Sequence, residues 1–442
     1  MSAGGAGATG AVWKNWARTE KVTPLRVERP ASVEAVQRAV VAAGRSRLRI
    51  KAVGAGHSFT GIAVARGVQL DVSALSGVLA VDIARQRVTL GGGTFLHQVP
   101  ALLKPFGLAM ANLGDIDRQS ISGAISTGTH GTGRLFGGIS TQVVGAVLVI
   151  GDGSLLTVNE THNAELLPAV ALGLGALGII VAVTLQCVPA FVLHAREAAE
   201  PLGVVLEGLD ERVEAADHFE FYWFPHTQTA LTKTNTRLPG EAPRAPLGAG
   251  KRFIDDWLVA NQVFRVTCSV ARVVPSIIPS LNRTAEKLTG TRQFSDHSAR
   301  VFASRRTVRF REMEYALPAE AVPAVLREID ALIERRGWRI SFPVEVRFAA
   351  ADGLWLSTAE GRQTGYIAVH RYFRESHAEY FEAVEEIMMA YAGRPHWGKL
   401  HTRDAASLRE VYPHFDAFGA VRDRLDPARL FTNDYVDRVL GA

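Results

Sequence analysis

The run from Gln119 to Gly133, Q-S-I-S-G-A-I-S-T-G-T-H-G-T-G, limits what this chain can fold into more than any other stretch of it. Ten of its fifteen residues are glycine, serine or threonine and none is acidic or basic apart from one histidine. It is too polar and glycine-rich for a core helix, yet too patterned for a linker. Hydroxyls and exposed amides at that density suit a backbone that wraps closely around a large polar molecule. A second run lies upstream. Val53-Gly54-Ala55-Gly56-His57-Ser58-Phe59 follows a strand predicted over Arg49–Val53. Its glycines let successive N–H groups converge on an anion, the nest that holds a pyrophosphate. Either run alone reads equally well as a tight turn. Two in one domain make cofactor binding the better reading.

The surrounding pattern is α+β rather than a regular βαβ repeat. Ser32–Val41 reads as an amphipathic helix, with Ser32 as N-cap and Glu34 in the first turn. Strands are predicted over Val68–Val72, Val78–Asp82 and Gln86–Leu90, and a helix over Thr94–Phe106 ended by Gly107. Val143–Ile150 and Ser154–Val158 flank Gly151-Asp152-Gly153, a hairpin signal. Near residue 190 the character changes: glycine, serine and threonine thin out, and aromatic residues and arginine rise. Strands are expected over Phe219–Phe224, Trp338–Phe348 and Tyr366–Tyr372, helices over Ala319–Arg335 and Ala378–Ala390, and a mobile surface loop over 234–252. The domains expected are therefore 12–190 and 191–442, after a disordered lead-in over 1–11 that has no export-signal pattern.

Several classes are excluded. From Leu166 to Leu193 there is no charge over 28 residues. A membrane span needs about 20 apolar residues, but Pro168, Gly173, Gly175, Gly178, Gln186 and Pro189 interrupt this one. It reads as a helix, a glycine turn and a buried strand, and no membrane anchor is expected. The net charge of +5 is small for 442 residues and its basic residues are scattered, so nucleic acid is not an expected partner. Two cysteines, Cys187 and Cys268, offer no zinc spacing or disulfide framework and fit a reducing cytoplasm. Gly173-Leu174-Gly175-Ala176-Leu177-Gly178 matches G-x-G-x-x-G, but a β-branched strand follows it where a dinucleotide site needs a helix.

A third cluster lies in the second half. Glu345 and Arg347 are two apart, so on a strand they share a face. Their neighbours Phe342, Pro343, Val344 and Phe348 are apolar, so the pair is expensive to bury without a partner or ligand. His370 lies on the strand predicted over Tyr366–Tyr372, and Arg394-Pro395-His396-Trp397-Gly398-Lys399-Leu400-His401 follows. Taken singly these read as a salt bridge, a satisfied histidine and a solvated lysine. His396 and His401 are five apart with no cysteine near, so no metal site is expected.

In this order the clusters resemble the vanillyl-alcohol-oxidase (PCMH-type) FAD flavoproteins, and within them the aldonolactone oxidoreductases, the sugar-lactone and alditol oxidase branch. The resemblance rests on V-G-A-G-H-S-F, S-I-S-G-A-I-S-T-G-T-H-G-T-G, P-V-E-V-R-F and G-R-P-H-W-G-K. The tail Arg424-Leu425-Asp426-Pro427 with Phe431-Thr432-Asn433-Asp434-Tyr435 completes it. It covers nearly the whole chain from about Trp13. It implies an FAD-binding domain of two α+β subdomains and a substrate (cap) domain with a large antiparallel sheet and flanking helices. The segment from about 415 to 442 would pack back on the FAD domain.

The resemblance also implies roles. Gly54, Ala55, Gly56, His57 and Ser58 would hold the pyrophosphate region, with His57 where many members bond covalently to the flavin. Asp115, Ser120, Gly123, Thr127, Gly128, Thr129 and His130 match positions lining the ring and diphosphate, and Ile180 a backbone contact to the adenine end. Glu345 and Arg347 match the pair that holds substrate hydroxyls. Lys399 matches a lysine that stabilises negative charge on reduced flavin. The reaction implied is hydride transfer from a carbinol C–H to the flavin, with His370 or Glu345 as the base. A small-molecule carbohydrate and molecular oxygen or another electron acceptor are the partners implied. Asp115 stands where alditol oxidases have serine, Ala368 where they have histidine and His370 where they have threonine, which moves the expected substrate from simple polyols to sugar lactones. Gly114 leaves room for oxygen. The alternatives are oxidation of alditols or nucleoside-like sugars, a lactone dehydrogenase with another acceptor, and a non-catalytic binding protein that keeps the fold.

Overall fold

Ser32 accepts from the Ala35 N–H at 3.3 Å and starts helix α1 (Val33–Arg45), which buries Val36, Ala39, Val40 and Ala43 along one side. That side covers a parallel sheet in which β1 (Arg26–Glu28) and β2 (Ile50–Val53) flank β3 (Val68–Asp71). Parallel strands need a crossover, and α1 carries the chain from β1 to β2, on either side of the place that β3 takes. The computed structural model describes residues 10–248, 269–270, 272–288, 290–304 and 308–442. The rest of the expected lead-in and residues 249–252 of the expected loop lie outside these.

A second layer is antiparallel. Strands β4 (Val78–Asp82), β5 (Arg87–Gly91), β6 (Val143–Val149), β7 (Leu155–Asn159) and β8 (Ile179–Gln186) lie in the order β7-β6-β8-β5-β4. Short helix α2 (Ile121–Ser126) packs against β8 and carries part of the second small-residue run. The uncharged stretch from Leu166 resolves into a helical turn (Leu167–Val170), a glycine turn and β8. No helix among the described residues is long and apolar enough to cross a membrane.

The third unit is one eight-stranded antiparallel sheet. Its strands are β9 (Phe191–Pro201), β10 (His218–Trp223), β11 (Thr229–Pro239), β12 (Arg292–His297), β13 (Phe310–Pro318), β14 (Val344–Ala349), β15 (Thr364–Tyr372) and β16 (Arg394–Pro395). They run in the order β12-β9-β11-β10-β14-β15-β13-β16. Strand alternation gives the sheet two unlike faces. Phe219, Phe221, Trp223, Met313, Tyr315, Val346 and Ile367 point to one side and pack on α3 (Val322–Arg336) and α4 (Ala378–Ala390). The residues between them, among them Glu220, Glu312, Glu314, Glu345, Arg347 and His370, are charged or polar and almost as buried. A charged face that is not solvated needs partners, and the site is built on it.

The last helices, α5 (Phe415–Leu425) and α6 (Asp434–Leu440), lie against the first two layers. The Ile50 N–H donates to the Leu430 carbonyl at 2.8 Å and the Gly151 N–H to that of Leu425 at 2.9 Å. Asn433 donates through Nδ2 to the carbonyls of Gly61, Ile62 and Val64.

Three elements depart from the sequence expectations. The helix expected over Thr94–Phe106 is broken into Leu96–Gln98, Val99–Leu103 and Lys104–Phe106, because Pro100 and Pro105 each begin a new turn; Gly107 does end it, at φ +65°. Residues 234–239 are not loop but the end of β11, paired with β9 over eleven rungs. The strand expected from Trp338 begins only at Val344, after Pro343, which has no N–H to give a ladder.

Candidate active site and cofactor cleft

The two small-residue runs meet. A Cβ on Gly54 would fall 2.1 Å from Ser120 Oγ, so only glycine lets the first run lie against the second. Ser120 is the N-cap of α2, its hydroxyl accepting from the Gly123 N–H at 3.3 Å, and Thr127 Oγ1 donates to the Gly123 carbonyl at 3.1 Å. Gly56 has φ +67°, and a Cβ there would come within 3.0 Å of the Trp13 ring. Between the runs is a narrow, partly open cleft with a cavity volume of about 90 Å3. Gly54, Ala55, Gly56, His57 and Ser58 of the first run and Ser120, Gly123 and Thr127 of the second line it. Lys51, Gln119, Gly175 and Gly178 complete the lining, so the turn of the G-x-G-x-x-G decoy contributes after all.

His57 is half-buried and stacked on Trp16, with ring centroids 5.7 Å apart. Burial, with Lys399 and Arg118 adding to it, lowers its pKa to about 4, so the imidazole is neutral at pH 7. The first run is tied to the cap loop: the Phe59 N–H donates to the Gly398 carbonyl at 2.7 Å, Thr60 Oγ1 donates to that of Trp397 at 3.2 Å, and Lys399 Nζ lies 5.2 Å from the Phe59 ring centre.

The polar sheet face carries the charges. Glu345 and Arg347 form an ion pair on β14, and Tyr222 OH on β10 donates to Glu345 Oε1 at 2.8 Å. Arg347 Nε also reaches Glu220 at 2.9 Å, and its Nη2 lies 3.6 Å from Asp115. Burial opposes the guanidinium charge, but Glu345, Glu220 and Asp115 outweigh it and hold Arg347 well above the ordinary value. Lys399 Nζ is ion-paired with Glu312 on β13. Burial alone would raise Glu312, yet Lys399 and His370 bring it down to about 2. His370 Nε2 on β15 lies 3.5 Å from Glu312, and its Nδ1 is 2.9 Å from the Pro343 carbonyl, which can only accept, so Nδ1 carries the proton.

Next along β13, Glu314 faces His130 Nε2 at 3.2 Å, while His130 Nδ1 lies 2.9 Å from the Gly131 carbonyl. The His130 ring stacks on Tyr366 at 3.6 Å. Burial would raise Glu314, but His130 overrides it and keeps the carboxyl well below the usual range. His396 Nδ1 accepts from the Gly398 N–H at 3.0 Å, and burial lowers its pKa to about 3.

Glu345, Arg347, Lys399, His370, Asp115 and His130 are thus drawn onto one buried face, while His57 and residues 54–58, Ser120, Gly123 and Thr127 shape the cleft. Thr129 Oγ1 accepts from Gln119 Nε2 at 3.0 Å, and Gly128 turns the chain at φ +73° over Leu172. Ile180 is not among the cleft-lining residues; it pairs with Leu148 in β8, and Gly178 takes the place next to the cleft. Glu220, Glu312 and Glu314 escaped the sequence reading. Their signal was the same as that of Glu345 and Arg347: R-E-M-E-Y and F-E-F-Y alternate acid with apolar residue. Two trios, His130 with Glu314 and His396, and Glu312 with Glu345 and His370, bring ligand-type atoms within 4.8 Å. Glu312 already holds Lys399, Glu345 holds Arg347, and His396 Nδ1 is committed to a backbone N–H.

Residues 183–439, more than half the chain, match the model of D-arabinono-1,4-lactone oxidase. The chain belongs to that family. Residues 24–159 match an FAD binding domain, which contains the first run and most of the second layer. Among curated relatives, L-gulono-1,4-lactone dehydrogenase of Mycobacterium tuberculosis is 44% identical over 97% of this chain and 99% of its own. L-gulonolactone oxidase of Bos taurus is 31% identical over 98% and 99%, and alditol oxidase of a Streptomyces species 30% over 96% and 98%. Cholesterol oxidase of Brevibacterium sterolicum superposes with a TM-score of 0.80 over 97% of this chain and 96% of that one, at 18% identity, so the two share a fold. As a member of the lactone oxidase family with an FAD-binding domain, the chain is an FAD-dependent oxidoreductase.

Proposed function

We propose that this oxidoreductase acts on the CH–OH group of a sugar lactone, with FAD in the cleft bonded to His57 and oxygen as the acceptor. The observation that carries the reading is the convergence of Glu345, Arg347, Lys399 and His370 on one buried sheet face, joined through Phe59 and Gly398 to the loop that carries His57. The cleft suits the flavin on its own chemistry: Gly54 has no room for a Cβ, Gly56 is left-handed, and a serine hydroxyl caps α2 beside them. Bound there, FAD supplies a two-electron acceptor for the carbinol hydride, and its reoxidation by oxygen gives hydrogen peroxide.

The chain's own residues do the rest. The neutral His57 imidazole keeps a nucleophilic lone pair, the form a covalent bond to the ring requires. Arg347 and Glu345 hold a fixed donor and acceptor side by side for two neighbouring hydroxyls. Lys399 places a buried positive charge against negative charge developing on the ring. For the base the geometry favours His370 over Glu345. Glu345 is bound by both Arg347 and Tyr222, whereas His370 has its proton fixed on Nδ1 and Glu312 near Nε2 to stabilise the imidazolium. The pairing of every cation on this face with carboxylates favours a neutral lactone over its hydrolysed acid. A cytoplasmic location accompanies this reading, since two cysteines with no disulfide framework suit a reducing compartment.

A peroxide-coupled panel of aldonolactones and alditols tests substrate and acceptor together. Lactone turnover with stoichiometric peroxide is the expected result. Turnover seen only with a dye would give the acceptor the character named for the Mycobacterium relative, and alditols turned over as fast as lactones would overturn the substrate. Acid precipitation should leave flavin with the wild-type protein and release it from His57→Ala.

A further inference from the structure

Strand β2 carries a lysine at a position apolar neighbours would normally fill. Lys51 lies between Ile50 and Ala52 and is only 4% exposed. Its ammonium donates to the Phe431 carbonyl at 2.8 Å and to that of Gly175 at 3.3 Å. An ammonium has three hydrogens, so one remains. Among the described residues no carboxylate comes within 4 Å of it: Asp426 and Asp437 act only at a distance. Asp426 accepts from the Leu430 and Phe431 N–H groups, and Asp437 is occupied by Arg49 and Thr432. A buried cation without a contacting counterion is costly. Yet this one lines the cofactor cleft, together with Gly54 and Ser120. A Cβ on Gly175, itself left-handed at φ +61°, would lie 3.7 Å from Nζ, so the glycine turn opens onto the amine.

We propose that Lys51 is a cofactor-binding residue, whose ammonium pairs with the diphosphate of a dinucleotide held in this cleft. It rests on the flavin reading above and adds a residue to it. The diphosphate is the only anionic group of FAD, and the backbone nest at 54–58 lies three residues further along the same strand exit. The lysine also explains how the C-terminal segment joins the site. Phe431 positions the ammonium from behind, so the tail, β2 and the glycine turn converge on one charge. Burial, against the distant pull of Asp426 and Asp437, lowers the amine to about 8. Diphosphate would restore its charge, so binding takes up a proton near that pH.

The test uses the full-length chain in a His57→Ala background, where flavin is removable, and titrates it with FAD and with riboflavin by fluorescence quenching. Lys51→Gln should weaken FAD about 10- to 100-fold, the range for a lost charged hydrogen bond, and leave riboflavin unchanged. Lys51→Arg should recover much of the loss. With Lys51 present, FAD affinity should fall about fivefold from pH 8 to pH 9 as the free amine deprotonates; with glutamine it should stay level. Equal weakening of FAD and riboflavin would show a purely structural lysine and overturn the proposal, as would an unchanged FAD affinity. If the Lys51-containing parent binds riboflavin but no better FAD, the lysine assignment fails alone; if it binds neither, the flavin reading fails with it.

Discussion

Arg347 touches three carboxylates at once, Glu345, Glu220 and Asp115, contributed by two strands and by the segment before the second small-residue run. That geometry needs a planar fork with several donors, which an ammonium does not offer. Arg347→Lys should therefore keep the charge and the fold but misplace the substrate hydroxyls. We expect kcat/KM to fall about 100-fold or more, with flavin content unchanged; near-normal kinetics would show that the charge alone suffices. The Glu345–Arg347 pair was legible in the sequence because two opposite charges two residues apart stood among apolar neighbours. Glu312 and Glu314 obey the same spacing, but with no opposite charge two residues from either, nothing in the sequence marks them as a pair that must be buried together. Only the register, which sets Glu312 opposite His370, shows that each carboxylate has a cation or imidazole waiting for it.

The glycine turns were the most legible elements, since their function depends on lacking a side chain. Gly54→Ala would put a methyl 2.1 Å from Ser120 Oγ, and Gly56→Ala would add strain at φ +67° and crowd Trp13. Gly77 makes a fair control: it too has positive φ, but nothing lies within 4 Å of its Cβ position. The flavin-to-protein absorbance ratio should drop severalfold in the two cleft variants and stay near that of the parent in Gly77→Ala. A drop of equal size in all three would mean that backbone strain, rather than the cleft, governs cofactor loading. Less legible were the elements whose limits are set by tertiary pairing. β11 runs on to Pro239 through a stretch rich in polar residues, because β9 offers it eleven consecutive partners. Local propensity does not contain that information.

At the scale of the whole molecule, three histidines sit on the seams between the layers. His218 on β10 is fully buried, its Nδ1 2.7 Å from the Thr132 carbonyl at the end of the second run. His396 joins the cap loop to Glu314's side of the sheet, and His401 Nε2 meets Tyr435 OH on α6 at 2.9 Å. Burial lowers His218 to about 4 and His396 to about 3, and burial with Arg438 and Arg403 holds His401 well below its ordinary value. In the unfolded chain all three return to about 6.5. Between pH 6.5 and pH 4 the unfolded state therefore binds more protons than the native one, and stability falls as pH falls. Unfolding near pH 5.5 should take up about three protons from this source. Glu312 adds little above about pH 5, because its value near 2 against the ordinary 4.5 means that its stabilisation is lost mainly as pH falls from about 4.5 towards 2. The melting temperature should thus decline steadily from pH 7 to pH 5, and His218→Gln should flatten part of the decline. A melting temperature level over that interval would mean that the seams hold these imidazoles with their protons on.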